Sequence, residues 1–471
     1  MSWAAVRIPA WVPGSLAALA VIAFAAGSSS VSSAKDIGHP ARWLVLFALC
    51  AVAVIEAAPQ LRRGGLPPGL RAFVWLPASF IALCLLSTAW SPDPRLTFAR
   101  TASLGILFLA ATALAVTTVA DAGAMRRLLE GLALGAAAVA AVGFVMLAFG
   151  ANAAAQAANE QAPWRFRGFG ENPNTVAVLA AVALPIVAWL GLTAQTRRSQ
   201  AFWLAAFAVL LASTIATGSR GGLLAALCGV EVVVMTTVPR VSRRILVGVA
   251  YGLVIVAGIA LRQATQPAAP AFYSAIPKPP PGVQSLPPTG VGGSKLRLPP
   301  GPEMQPLPPR ENEIGFPALS RQGTSSVGSG RVSAWLGTLR DIVLERPLLG
   351  YGFGTEEKVF VDRWYNFQGG TPENSTLGLL LQVGIVGLLL VLAIASAVAV
   401  GAVRSLRSSV TTERSAGRVG LAVLVSALVL TFFQAYLYSV GNVATLTVWV
   451  VLFLTASATL GARGASGGRA R

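Results

Sequence analysis

Apolar residues fall along this chain in long blocks rather than in stripes. Predominantly apolar runs of about 20 residues, the length needed to cross the hydrocarbon core of a bilayer, recur about a dozen times. They occupy 14–32, 41–58, 72–90, 98–120, 128–150, 173–193, 201–217, 221–238, 245–261, 374–403, 419–438 and 443–461. The expected fold is therefore all-α, a polytopic integral membrane helix bundle of about 12 transmembrane helices. One large outer loop is expected between spans 9 and 10. Four stretches follow. Residues 1–261 carry the first nine spans with short loops, and 262–325 form a Pro-rich segment that is expected to be disordered. Residues 326–373 form an ordered helical part of the outer loop, and 374–471 carry the last three spans and a cytoplasmic tail.

Local signals refine this outline. Val332, Trp335, Leu336, Leu339, Ile342 and Val343 recur at helical spacing, and Pro347 ends that helix. Gly350, Gly352 and Gly354 mark a turn after it. Thr371 is the expected N-cap of the tenth span, with Pro372 at its first helical position. Asn172 and Pro173 play the same parts for the sixth. Gly131 with Gly135, and Gly248 with Gly252, have the four-residue spacing that lets helix backbones approach closely in lipid. Val139 interrupts the first of these stripes before Gly143, which predicts a short contact.

Composition agrees with a membrane bundle: 55% hydrophobic and 11% charged residues, with a mean hydropathy of +0.67. The net charge of +18 raises nucleic acid as a partner. However, the arginines occur in small groups between apolar runs, as the positive-inside rule expects, with no basic stripe of interleaved aromatics. Placing Arg7 in the cytoplasm puts the groups at Arg62, Arg126, Arg197, Arg243, Arg407 and Arg469 on that side too. Both termini are then expected in the cytoplasm, with the polar chemistry on the outer face of the membrane. Met1 to Arg7 lead straight into the first span without a processing pattern, and read as a retained anchor. The acidic residues lean toward the outer side. Cys50, Cys84 and Cys228 lie inside apolar runs and offer neither a disulfide framework nor metal-ligand spacing. No metal and no cofactor are expected.

Four outer-face clusters could carry chemistry. The first runs from Trp164 to Asn174 and contains Arg165 and Arg167; the second is the tight turn Thr217–Gly222 with Arg220. Arg331 on the loop helix is the third, and Glu373-Asn374-Ser375 at the start of the tenth span is the fourth. Arg220 either snorkels to lipid phosphate or binds a specific anion, since a charge between two apolar helices is costly without a partner. Arg331 reads equally as a solvated loop arginine, and Glu373 as a first-turn acid that stabilises the helix dipole. Glu231 lies within the eighth span, where an ionisable residue is by default a functional hypothesis, although a neutral or paired glutamate fits as well. His39 stands before Pro40 in a short outer loop and is expected to be inert.

Two arginines and a carboxylate on one membrane face suit one particular task. A lipid-linked pyrophosphate gains negative charge as its bond to a sugar breaks, and guanidinium groups stay ionised and bind phosphate oxygens in a fork. The acceptor hydroxyl needs a base within reach. Arg220 and Arg331 are the candidate anion-binding pair and Glu373 the candidate base, with Arg165, Arg167, Asn174 and Asn374 as further contacts for acceptor or phosphate.

The order of these motifs resembles the O-antigen ligase and O-antigen polymerase superfamily of bacterial membrane glycosyltransferases. The resemblance is carried by Leu86-Ser87-Thr88-Ala89-Trp90-Ser91-Pro92, by Arg167 to Asn174, and by Ser219-Arg220-Gly221-Gly222-Leu223. Gly330-Arg331 with Trp335, Arg346-Pro347-Leu348-Leu349-Gly350-Tyr351-Gly352, and Glu373-Asn374-Ser375 leading to Gly384-Ile385-Val386-Gly387 complete it. It implies twelve spans and metal-independent transfer of a glycan from undecaprenyl pyrophosphate. The acceptor would be a lipid A-core sugar for a ligase, or the end of another lipid-linked repeat for a polymerase. Arg220 and Arg331 match the pyrophosphate-binding arginines of the family. Glu373 stands where ligases commonly carry a histidine proposed as the base, which shifts the expectation toward a polymerase or a ligase for another surface polysaccharide. The partners expected are the lipid-linked glycan donor, a saccharide or lipid-linked acceptor and membrane lipids, with no nucleic acid. A lipid-linked sugar transporter or flippase, and a structural scaffold, are the readings from other classes.

Overall fold

A computed structural model describes residues 11–120, 123–157, 164–265, 335–340, 345–361, 371–439 and 442–461. Nearly all of these are helical. The helices are α1 (Trp11–Ser28), α2 (Ser32–Gly64), α3 (Pro68–Leu86), α4 (Pro94–Ala120), α5 (Ala124–Ala148), α6 (Pro173–Leu192), α7 (Arg197–Thr217), α8 (Arg220–Thr237) and α9 (Val241–Ala264). After the long loop come α10 (Glu356–Val361), α11 (Ser375–Ser405), α12 (Thr411–Thr431) and α13 (Val443–Leu460). A two-residue ribbon, β1 (Ala155–Gln156) against β2 (Arg165–Phe166), is antiparallel. Among the described residues, ten helices are long and apolar enough to cross a membrane. Two shorter apolar helices, within α1 and α13, accompany them. This is the all-α membrane bundle that the hydropathy pattern predicts.

α6 lies at the centre and is buried along almost its whole length, packed against α7 and α8. α13 is the other deeply buried helix, against α4, α11 and α12. α9 is the opposite case: Tyr251 and Ile255 are its buried residues, and most of its surface faces outward. With no water to compete, close contact between such helices comes from small residues. A side chain at Gly131 would lie 2.3 Å from the Pro13 carbonyl oxygen, and one at Gly135 would lie 2.7 Å from the Ala20 Cβ. That stripe therefore seats α1. Gly143 faces the loop instead: a side chain there would lie 2.8 Å from the Phe166 ring. In α9, a Cβ added at Gly248 would lie 2.9 Å from the Glu231 carboxylate, whereas one added at Gly252 would meet nothing within 4 Å. The second glycine pair is thus half used.

Two boundaries differ from expectation. α2 starts at Ser32, so His39 lies exposed on a helix rather than in a loop. The turn before it is already complete, because the Ser30 amide donates to the Phe169 carbonyl at 2.8 Å and Ser29 bridges to Gly170. The tenth span starts at Ser375, with Asn374 as its N-cap instead of Thr371. Asn374 Oδ1 accepts from the amides of Thr376 at 2.9 Å and Leu377 at 3.1 Å. The chain turns at Glu373, the one non-glycine residue with positive φ among those described, at 47°.

α11 is not continuous. Gly384 has φ 64° and ψ −166°, a conformation that essentially belongs to glycine, and it breaks the helix after its first nine residues. The groups released by the break are all engaged by one loop. Tyr351 and Gly352 donate their amides to the carbonyls of Leu381 and Gln382 at 2.9 and 2.8 Å. Ile385 and Val386 donate to Pro347 and Leu348 at 2.9 and 3.2 Å. Irregular backbone at such a position is tolerated when protein covers it. Two motifs of the sequence, residues 346–352 and 384–387, are therefore halves of one joint. A third motif supports it: Arg346 donates to the Trp90 carbonyl at 3.3 Å, and Phe353 donates its amide to Ser87 Oγ at 2.9 Å.

Candidate functional site

One end of the bundle gathers the turn between α7 and α8, the loop before α6, the last turn of α9, the start of α11 and the connection from α12 to α13. The α7–α8 turn is built by its small residues. Gly218 closes α7 in a left-handed conformation with φ 65°. Ser219 caps α8, its Oγ accepting from the Gly222 amide at 3.4 Å. Gly221 lets the Phe433 ring approach and Gly222 lets in Ala177: added Cβ atoms would stand 2.5 and 2.9 Å from them. Arg220 is the first helical residue of α8 and is exposed. Among the described residues its guanidinium makes no hydrogen bond or ion pair. A fixed backbone thus carries a cation at a helix N-terminus, where the backbone amides also favour an anion.

The loop from Trp164 to Asn172 folds onto this turn. Phe166 stacks on Phe144 at 4.6 Å and Phe169 meets the edge of Phe24 at 4.7 Å. Lys35 pairs with Glu171. Asn172 caps α6 ahead of Pro173, as the sequence predicts. Arg165 donates from Nε to the Thr217 carbonyl and from Nη2 to Asn174 Oδ1, both at 2.7 Å. It ties the α7 terminus to the α6 terminus. Arg167 donates to the Ala153 carbonyl at 2.9 Å within its own loop.

Glu373 is half-buried beside the cap of α11. Its amide reaches Thr371 Oγ1 at 3.4 Å, and Trp335 Nε1 donates to the neighbouring Pro372 carbonyl at 2.7 Å. Arg331 lies outside the described residues; Trp335, four positions later in the sequence, belongs to the helical stretch 335–340. The start of α11 and the α7–α8 turn share a neighbour. Ser375 Oγ donates to the Gln434 carbonyl at 2.7 Å and accepts from the Tyr436 amide at 3.0 Å. Phe433, next to Gln434, is the ring that covers Gly221. Arg220 and Glu373 thus come to one end of the bundle through the 433–436 connection.

Sequence reading missed Glu356. Within Thr355-Glu356-Glu357 it resembles a surface acid, yet it is 3% exposed. Its Oε2 accepts from Tyr438, and from Gln382 Nε2 at 3.2 Å. Its Oε1 is buried and has no hydrogen-bond partner among the described residues. Gln382 in turn accepts the Gly354 amide at 2.6 Å, and Arg100 donates to the Gly354 carbonyl at 2.6 Å. Burial pushes the Glu356 carboxyl up to about 7, with the Tyr438 bond and Arg100 opposing and Glu357 adding. Burial and the same carboxyl hold the Tyr438 hydroxyl well above the tyrosine range.

A pH dependence follows. The folded-state value lies above the usual 4.5, so the stabilisation is complete below about pH 4.5 and is lost as pH rises toward about 7. The full loss is about 3 kcal/mol. Glu356→Gln, a neutral isostere, should flatten the melting temperature of the detergent-solubilised protein between about pH 5 and pH 8, a range within which the wild type should lose stability. Parallel pH profiles for the two would show that Glu356 does not titrate this way.

A narrow apolar crevice of about 50 Å³ opens between α11, α12 and α13, with Leu379, Leu388, Val391, Leu424, Ala427 and Trp449 on its walls.

Fold and site define the class: a multi-pass helical membrane protein with a cation-bearing turn and a capped, broken helix at one end. Residues 205–392 match the family model described as O-antigen ligase. The match covers less than half of the chain, and this part of the chain is similar to O-antigen ligases. The matched stretch contains the Arg220 turn, the end of α9, Glu356, Glu373 and the break at Gly384, and begins after the Arg165 loop. No curated protein matches the chain.

Proposed function

We propose that the protein transfers a glycan from undecaprenyl pyrophosphate to a saccharide acceptor on the outer face of the cytoplasmic membrane, without a metal. The acceptor hydroxyl oxygen forms the new bond to the anomeric carbon as the bond from that carbon to the pyrophosphate oxygen breaks. The electron pair leaves with the lipid pyrophosphate. Arg220 and Arg331 bind and neutralise that leaving group, and Glu373 takes the hydroxyl proton or orients the acceptor by hydrogen bonding. Arg165, Arg167, Asn174 and Asn374 serve as the framework that presents these groups. The observation that carries the reading is Arg220: exposed, without an ion-pair partner among the described residues, and fixed at a helix N-terminus on the end of the bundle that holds Glu373.

The backbone at Glu373 supports a working role for its side chain. A left-handed glutamate costs roughly 1 kcal/mol relative to glycine, a cost that tends to persist where function requires it. Glu373→Gly relieves that backbone strain and should lower transfer by at least about 100-fold if Glu373 is the base. Full transfer by this variant would remove Glu373 from the chemistry.

A transporter of lipid-linked sugars is the second reading, favoured by the break in α11, since discontinuous helices line substrate sites in transporters. The loop 347–352 fills that break, which supports transfer over transport. Purified protein given lipid-linked donor and acceptor in detergent should make product, whereas a transporter makes none. Surface glycans of a deletion strain separate the two kinds of transfer: long unattached lipid-linked chains indicate a ligase, single repeats a polymerase.

A further inference from the structure

We propose that Arg414 and Arg418 of α12 bind the headgroup of an anionic phospholipid, at the end of the bundle opposite to the Arg220 turn. This site is separate from the one assigned to glycan transfer, and neither reading depends on the other.

The end of α11 and the start of α12 carry Arg404, Arg407, Arg414 and Arg418 against a single acid, Glu413. Glu413 is already engaged, accepting from Ser408 Oγ at 2.7 Å. α12 is pinned on two sides. Toward α11, a Cβ at Gly417 would lie 2.6 Å from the Ala402 carbonyl oxygen. Toward α8, Ser426 Oγ donates to the Ala225 carbonyl at 2.8 Å, and a Cβ at Gly229 would lie 3.0 Å from the Ala422 carbonyl oxygen. At about 100° per residue, Arg414 and Arg418 fall in the sector between these two contacts, one turn apart. Leu421, Val425 and Leu428 continue that sector along the helix, the first two half-buried and the third exposed. An outward-facing apolar strip thus ends in two guanidinium groups.

Neither arginine is satisfied by the protein around it. Arg418 makes no hydrogen bond or ion pair among the described residues, and Arg414 makes one bond, from Nη2 to the Ser409 carbonyl at 3.2 Å. The Nε atoms of both are buried without a partner among those residues. The two groups stand close enough to repel each other, and Arg414, in the first turn of α12, is opposed by the helix dipole as well. A third buried polar atom without a partner, Thr237 Oγ1, ends α8. The antiparallel register set by Ala225 with Ser426, and by Gly229 with Ala422, brings Thr237 level with Arg414. An anion between these groups relieves each of these costs, and the apolar strip beside them suits one that carries acyl chains. A merely snorkelling arginine keeps its head in water, whereas these two are half-buried.

The test is the melting temperature of the full-length protein in neutral detergent, titrated with phosphatidylglycerol, with phosphatidylcholine of the same acyl chains, or with glycerol phosphate. Phosphatidylglycerol should raise it and the other two should not. In the double variant Arg414→Gln, Arg418→Gln, the phosphatidylglycerol concentration that gives half the shift should rise by roughly tenfold or more. The pair Arg197→Gln, Arg198→Gln removes the same charge from exposed positions at the same end of the bundle and should respond like the wild type. An unchanged half-shift concentration in the Arg414, Arg418 variant overturns the proposal. An equal rise in the Arg197, Arg198 variant also does, since it would show attraction to net charge alone. Should the double variant fail to fold, Arg418→Gln by itself should raise the half-shift concentration by roughly fivefold; the wild-type value there overturns the proposal too. Equal stabilisation by phosphatidylcholine or by glycerol phosphate would assign the effect to acyl chains or to a soluble phosphate, and would likewise overturn it.

Discussion

Arg220→Ala is expected to lower glycan transfer by about 100- to 1,000-fold, the usual cost of removing one preorganised group that stabilises developing negative charge. Membrane insertion and melting temperature should not change. The Arg220 side chain is exposed and bonds to no described residue, while the turn beneath it is held by Gly218, Ser219, Gly221 and Gly222. Removing the side chain therefore leaves no buried group unsatisfied. Arg220→Lys keeps a positive charge but loses the fork, and should restore less than about a tenth of the activity. Transfer by purified variants from a lipid-linked donor checks this. Wild-type rates in the alanine variant would mean that Arg220 only anchors the helix end to lipid.

The largest effect on stability is expected at Gly384. Gly384→Ala should cost at least about 3 kcal/mol and sharply reduce the folded yield in detergent. Two penalties coincide there. The backbone sits in a region that side chains do not adopt, and a Cβ would come 2.2 Å from the Leu348 carbonyl oxygen, which cannot move away without giving up its bond to Val386. Loss of the joint would also release the loop that leads to Glu356 and Arg100. Gly252→Ala is the matched control: with nothing within 4 Å of that site, alanine should be neutral or stabilising by up to about 1 kcal/mol. Equal melting temperatures for the two variants would contradict this account of α11.

What the sequence conveyed and what it withheld divide along physical lines. Spans are legible because burial in lipid demands about 20 apolar residues in a row, and the cap at Asn172-Pro173 because its rule is local. The glycines around Arg220 mark a tight turn by themselves. Thr371-Pro372 satisfies the same capping rule as Asn172-Pro173 but loses to Asn374, because the chain reverses at Glu373 in a conformation that sequence rules assign to glycine. Glu356 could not be recognised from its neighbours. Its burial depends on Gln382, on the missing side chain of Gly378 and on Tyr438, all distant in the chain. The break at Gly384 was hidden inside an apolar run. The pairing of residues 346–352 with 384–387 would, however, explain why both motifs are rich in glycine.

The central claim is that the Arg220 turn and the head of α11 share one anionic, lipid-borne ligand. Single-particle electron microscopy of the protein in nanodiscs with undecaprenyl pyrophosphate tests it most directly. The account predicts diphosphate density against the guanidinium groups of Arg220 and Arg331, next to Glu373. Diphosphate bound at another place on the bundle, with Arg220 turned to the lipid headgroups and Arg331 remote from it, would contradict it.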